Sequence, residues 1–210
     1  MSAPPASPPL LRRLADRALE LPLVYRGLQA PFAEAKLAPF FRHVRDRDVR
    51  TVLDVGCGPG TNAAHFRHLE YTGIDINADY IASAQRRIPG RFVVGDVTDP
   101  AVLPGGRYDC VLVNSLLHHL EDAAVRSLLV RLGRLVAAGG AVYILDLVMP
   151  ARRNLARVLA RIDRGRHARP LEAWRALFSE AFAVRAFEPY RLGLPFVTMW
   201  EMVYFEGTPR

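Results

Sequence analysis

Three glycines at alternate positions, Gly56, Gly58 and Gly60, follow the apolar run Thr51–Val55, which carries a carboxylate, Asp54, one residue before its end. A glycine turn at the end of a buried strand lets backbone approach a ligand that any Cβ would hold away. A second acid, Asp75, closes another apolar run nineteen residues beyond Gly56, and a third, Asp96, follows Gly95. Carboxylates so placed can accept hydrogen bonds from hydroxyl and amino groups. Two histidines, His118 and His119, come shortly after Asn114 and Ser115. Imidazole titrates near neutral pH and suits proton transfer.

These residues need a scaffold to bring them together, and the pattern of apolar runs supplies one. Residues 51–55, 71–76, 91–95, 108–114 and 141–147 read as strands, each short and rich in β-branched residues. Between them, residues 61–68, 78–87 and 121–137 read as helices, the last with Leu128, Leu129, Leu132 and Leu135 on one face. Gly139-Gly140 reads as the turn into the fifth strand. Strands alternating with helices imply a mostly parallel sheet, whose ligands bind outside the carboxyl ends of the strands. After a helix over 171–181, two β-rich runs, 182–192 and 196–205, are joined by Gly193-Leu194-Pro195, a connection short enough only for antiparallel strands. Ahead of the first strand, 10–21 and 31–43 have helical spacing, and 1–9 is a Pro/Ser/Ala-rich tail expected to be disordered. The expected organisation is thus a tail (1–9) and one domain (10–210). That domain divides into a helical cap (10–44), a cofactor-binding core (45–149), a lid insertion (150–170) and a C-terminal helix with antiparallel strands (171–210).

The chain of 210 residues is 50% apolar, enough for one sizeable core. Cys57 and Cys110 are its two cysteines, with neither pairing logic nor metal spacing, so no metal is expected and a reducing, cytoplasmic setting is. No run reaches the eighteen or so apolar residues of a membrane span. Net charge is +7, and Lys36 is the single lysine among 28 basic residues. Arginine favours planar anionic partners, but a surplus of this size is no nucleic-acid signature.

The glycine turn separates two cofactor types. A dinucleotide fingerprint needs G-x-G-x-x-G with a pyrophosphate at the helix N-terminus. Here the third glycine comes one residue early, and Asp54 beneath the turn would repel a pyrophosphate while suiting a cationic or amino-bearing ligand. Four segments in order then carry a resemblance: VLDVGCGPG (52–60), GIDIN (73–77), GDVTD (95–99) and YDCVLVNSLLHHL (108–120). Over about residues 45–206 the chain resembles the class I S-adenosylmethionine-dependent methyltransferases of the bacterial small-molecule type. Val136-Ala-Ala-Gly-Gly140 stands where that family often has a Lys-Pro-Gly-Gly turn.

The resemblance implies a Rossmann-like α/β three-layer sandwich with a seven-stranded, mostly parallel sheet of order 3-2-1-4-5-7-6. It implies S-adenosyl-L-methionine as cofactor and S-adenosyl-L-homocysteine as product. The backbone of Gly56, Cys57 and Gly58 would lie against the methionine part, and Asp54 would orient that end through its amino group or water. Asp75 would take the ribose hydroxyls and Ile76 would flank the adenine. Asp96 would accept the adenine amino group, with the Val97 amide on a ring nitrogen, and Asn114 and Ser115 would line the sulfonium.

Methyl transfer from a sulfonium needs alignment above all, with a base only where the acceptor must lose a proton. His118 or His119 is the candidate base; either could instead cap or pack. Methyltransferases of base amines usually carry Asn/Asp-Pro-Pro-aromatic where this chain has Asn114-Ser115-Leu116-Leu117, which argues against nucleic acid. A small-molecule acceptor is expected, with O-methylation ahead of C- and N-methylation. Residues 152–169 hold seven arginines against Asp163. Arg153, Arg157 and Arg161 are four apart on one helix face, opposite Leu155, Val158, Leu159 and Ile162. With Arg164 they are read as a solvated face, as a clamp for an anionic acceptor, or as a membrane-surface face reaching a lipophilic one. Tyr25, with Lys36, Tyr190, Trp200 and Glu201, comes from segments that often close such a site. The alternatives are a non-catalytic methyltransferase-fold scaffold and, behind it, an NAD-dependent oxidoreductase.

Overall fold

A computed structural model describes residues 22–44, 47–163 and 165–210, with the side chains of 22–31 and 33 excepted. The tail, the helix expected over 10–21, Arg164 and the side chain of Tyr25 lie outside the described residues. Helix α1 (Pro22–Val44) leads into β1 (Thr51–Val55), a 3₁₀ turn (Asn62–Phe66), β2 (Glu70–Asp75), α2 (Ala78–Gln85), β3 (Arg91–Val94) and β4 (Tyr108–Asn114). A second 3₁₀ turn (Leu117–His119) precedes α3 (Asp122–Gly133), β5 (Val136–Leu147), α4 (Leu155–Ile162), α5 (Leu171–Ala181), β6 (Phe182–Leu194) and β7 (Val197–Pro209).

The strands form one seven-stranded sheet in the order β3-β2-β1-β4-β5-β7-β6. The first five run parallel, whereas β7 pairs antiparallel with both β5 and β6. Central strands are buried on both faces, as a covered parallel sheet requires. Alternate residues of β1 feed opposite layers: Leu53 and Val55 join Leu128, Leu132, Trp174 and Phe178 of α3 and α5, while Val52 joins Leu37 and Phe40 of α1 and Ile81 of α2. Parallel pairing sets the carboxyl ends of β1, β2 and β4 side by side, which is where the site must lie.

Several local expectations are corrected. The helical segment expected over 61–68 is a shorter 3₁₀ helix, Asn62–Phe66. The helix expected over 121–137 stops at Gly133, and β5 already begins at Val136. Gly139-Gly140 is therefore a bulge inside β5, where the register with β4 shifts between Tyr108 and Cys110. A Cβ on Gly140 would stand 2.8 Å from the Asp109 carbonyl oxygen, so close backbone approach is its reason. The terminal hairpin turns at Pro195-Phe196, with Phe196 at φ 69°.

Candidate functional site

Local chemistry builds the rim of the cleft. Gly56, Gly58 and Gly60 have φ of 77°, 55° and 77°, left-handed values that bring the chain sharply back from β1. The Gly56 and Cys57 amides donate to the Ile74 carbonyl, and the Gly58 amide donates to Asp75 Oδ2 at 2.8 Å. Asp75 Oδ1 accepts the Asn77 amide at 2.9 Å, and Asn77 in turn caps α2 through the Tyr80 amide. One carboxylate thus joins the glycine turn to the start of α2. Burial raises its pKa, and the Asn77 and Gly58 amides oppose that rise.

The larger cleft, 1520 Å³ and open to solvent, is lined by Gly56, Gly58, Asp75, Ile76, Asp96, Val97, Asn114 and Ser115 among others. Ile76 is 66% exposed at its edge. Asp96 folds back on Thr98, accepting its amide and hydroxyl on Oδ1, and Arg131 of α3 pins that loop through the carbonyls of Val97, Thr98 and Asp99. Ser115 has φ 56°, an uncommon value for a residue with a side chain and one that clusters at functional sites.

The side chains of Cys57 and Asp54 point away from the cleft, beneath the glycine turn. Cys57 is buried, its Sγ packed where a Cβ on Gly73 would stand 2.8 Å away. Asp54 is fully buried beneath the turn: Oδ2 accepts the Tyr71 hydroxyl at 2.7 Å and the Asn62 amide at 3.4 Å, while Oδ1 is buried with no hydrogen-bond partner. Burial pushes its pKa up to about 6 against the pull of these donors. Asn62 in turn accepts from Asn114 at 3.3 Å, linking the hidden carboxylate to the wall.

A second, smaller cavity opens beside the first, and the two share Ser115 and His119. Phe32, Leu147, Leu192, Trp200 and Met202 supply its apolar wall; Lys36, His118 and Asp163 supply its polar end. Phe32 and Trp200 meet edge to face at 5.0 Å. Lys36 and Trp200 therefore join the site, whereas Tyr190 and Glu201 line a separate depression beside Met149 and Leu171.

The two histidines differ sharply. His118 is buried, with Nδ1 donating to Asp146 Oδ1 at 2.6 Å and Nε2 facing Asp163 Oδ1 at 3.2 Å. Burial alone would lower its pKa, but the two carboxylates outweigh burial and hold it at about 9. Asp146 also accepts the Leu117 and Leu147 amides, so it ties the end of β4 to β5. His119 is exposed and lies at the junction of the cavities. Ligand atoms of His118, His119 and Asp163 come within 4.8 Å of one another, a spacing a metal ion could use. The imidazolium of His118 already supplies the positive charge between the carboxylates. Burial brings the Lys36 pKa down to about 8 even with Asp146 and Asp163 nearby.

The arginine segment is rearranged. Helix α4 begins at Leu155, so Arg153 precedes it and is exposed. Arg157 turns back to the Pro150 and Ala151 carbonyls. Neither lines the two cavities; Arg166 lines the larger one. Arg169 is buried, donating to Asp122 and to the carbonyls of Leu117, His167 and Leu120, with its guanidinium 4.6 Å over Trp174. Asp146 and Arg169 are buried and Arg131 half-buried, and nothing local in the sequence marks the distant partners that packing gives them.

Residues 52–140 match the model of a methyltransferase domain family, and these are the residues that build β1 to the start of β5. Over those residues the chain is similar to a methyltransferase domain, and its fold is that of the class I S-adenosylmethionine-dependent methyltransferases. Its sheet order and antiparallel C-terminal strands are those of that fold, and the family's cofactor is S-adenosylmethionine. The chain is 43% identical over 108 residues to an uncharacterized methyltransferase of Mycobacterium tuberculosis, covering 49% of this chain and 53% of that one. It is 31% identical over 169 residues to the trans-aconitate 2-methyltransferase of Paracidovorax citrulli, covering 73% and 60%. The chain thus spans about half the length of the mycobacterial relative and 60% of the Paracidovorax one. The N-methyltransferase NodS of Bradyrhizobium japonicum, solved with S-adenosylhomocysteine, shares the fold at TM-score 0.71 and 17% identity, covering 94% of this chain and 97% of that one. No helix among the described residues is long and apolar enough to cross a membrane.

Proposed function

We propose that the chain transfers a methyl group from S-adenosylmethionine to an oxygen of a small molecule held in the smaller cavity. The observation that carries this reading is the meeting of two cavities at Ser115 and His119. One has the backbone and carboxylates to hold a nucleoside, the other an apolar wall with a polar end, and transfer needs both ligands at one point.

The cleft's own residues fit the cofactor. The orphaned Asp54 Oδ1 is an acceptor awaiting an ammonium group or a water beneath the turn. Asp75 presents a carboxylate at the cleft that can accept further hydrogen bonds from the ribose hydroxyls. Ile76 offers an exposed face to the adenine, and Asp96 Oδ2 remains beside the Val97 amide for its edge. Bound there, the cofactor supplies an electrophilic methyl group.

On the acceptor side, His119 is the base for a hydroxyl acceptor, because it alone of the pair faces both cavities. His118 acts through position: held between Asp146 and Asp163, its ring stays protonated at neutral pH and fixes the start of the segment carrying His119. Lys36, at the polar end of that cavity, can also steady an oxygen anion. Trans-aconitate, the acceptor named for one relative, offers carboxylate oxygens as nucleophiles, which supports oxygen over nitrogen. Calorimetry with S-adenosylmethionine, then S-adenosylhomocysteine formation with a panel of carboxylic acids, phenols and amines, tests the reading. Turnover with amines alone would overturn the assignment to oxygen, and binding without turnover on any acceptor would favour a scaffold.

A further inference from the structure

Helix α4 is laid on the protein by its small residues. Ala156 and Ala160 are buried, Ala160 in a small core with Leu147, Leu192 and Met202, while Leu155, Val158 and Ile162 are 49%, 55% and 67% exposed. These three sit at i, i+3 and i+7, so they form one ridge turned outward. An amphipathic helix ordinarily buries that ridge. Arg161 flanks it, and Arg152 and Arg153 stand exposed at its N-terminal end. The α4 helix packs on β7, and Leu192 of the same small core leads directly into the β6–β7 hairpin tip. There Leu194, Phe196 and Val197 are 62%, 107% and 43% exposed, with Arg191 beside them.

We propose that the α4 ridge and the hairpin tip form a docking surface for an anionic lipid bilayer, aliphatic and Phe196 side chains entering the headgroup boundary and the arginines meeting phosphates. Convexity and charge select this occupant. A fully exposed phenyl on a two-residue turn protrudes, so it suits a soft boundary rather than a groove. Residues 151–162 hold four arginines and no acid, which complements an anionic surface. A second copy meeting this one across a two-fold axis would set arginine against arginine. Residues 1–21 carry three arginines against two acids, so they bring no complementary charge either. Asp163, just past α4, and Leu192 and Met202 beneath it also line the smaller cavity. Delivery of a lipophilic acceptor from the bilayer rests on the proposed function; docking itself does not.

Co-sedimentation with vesicles of phosphatidylcholine and phosphatidylglycerol, against phosphatidylcholine alone, tests the docking on the full chain. The expected result is binding at least ~10-fold tighter to anionic vesicles and weakened by salt. The exposed-site variants Val158→Asp/Ile162→Asp and Phe196→Asp should each lose that binding while keeping cofactor affinity by calorimetry, which separates a lost surface from a lost fold. A Phe196→Trp variant should shift its emission to the blue on anionic vesicles. Unchanged binding in both aspartate variants overturns the proposal. So does a concentration-dependent dimer that Val158→Asp dissolves, or vesicle binding that emerges only once residues 1–21 are removed.

Discussion

Gly165 lies flat against His118: a Cβ there would stand 1.9 Å from His118 Cδ2 and 2.7 Å from the His118 carbonyl oxygen. Its amide donates to Asp163 Oδ1 at 2.8 Å, the same oxygen that faces His118 Nε2. Asp163 and Gly165 therefore enclose one imidazole. Gly165→Ala should cost about 1–3 kcal/mol of stability by overpacking and lower turnover, with cofactor affinity within ~2-fold of wild type by calorimetry. An unchanged melting temperature would show that the loop moves freely off His118.

Asp75 holds two backbone amides and still faces the cleft. Hydrogen bonds to a charged group are worth ~1.5–3 kcal/mol, so Asp75→Ala should weaken S-adenosylmethionine at least ~10-fold. Equal affinity in a folded variant would remove Asp75 from the cofactor site.

The His118 pKa of about 9 stands above its ordinary 6.5, so its contribution to stability is complete below pH 6.5 and is lost as pH rises through 9. Lys36, held down at about 8, acts in the opposite sense above that pH. The difference between wild type and His118→Gln isolates the histidine. That difference in melting temperature should shrink from pH 6.5 to 9, and a difference constant with pH would refute the imidazolium.

Where an acceptor turns over, His119→Ala should lower kcat ~100-fold or more for a hydroxyl substrate, the usual yield of a general base. A carboxylic acid needs no deprotonation at neutral pH, so its kcat should fall far less. Equal losses for both would make His119 a shape element rather than a base.

Arg169 satisfies three carbonyls and Asp122 from a buried position. Arg169→Met should destabilise by ~3 kcal/mol, and Arg169→Lys should not rescue, because an ammonium cannot span that fork of acceptors. Chemical denaturation of both variants checks this.

The cofactor half of the site was legible because it is written in contiguous stretches. The glycine turn, Asp75 after β2 and Asp96 after β3 each occupy the end of a strand, and parallel pairing brings strand ends together without further information. The surroundings of Asp54 were not legible in the same way: its place beneath the turn is local, but the Tyr71 hydroxyl on Oδ2 and the unpartnered Oδ1 come from packing between strands.

The acceptor half was legible only as a set of parts. Its cavity takes Lys36 from α1, His119 from the 3₁₀ turn after β4, Asp163 from beyond α4 and Trp200 from β7. Likewise the arginine helix showed its two faces plainly, yet helical periodicity does not say which face meets the protein. Packing on β7 chose the alanines.

By itself the sequence determined the alternation of strands and helices, the glycine turn and the resemblance to a methyltransferase family, because each follows from local periodicity and short motifs. Tertiary structure alone decided which histidine is locked between carboxylates, which arginine is buried and which face of α4 meets solvent. Those are outcomes of desolvation and of contacts between residues far apart in the chain, and no local spacing encodes them.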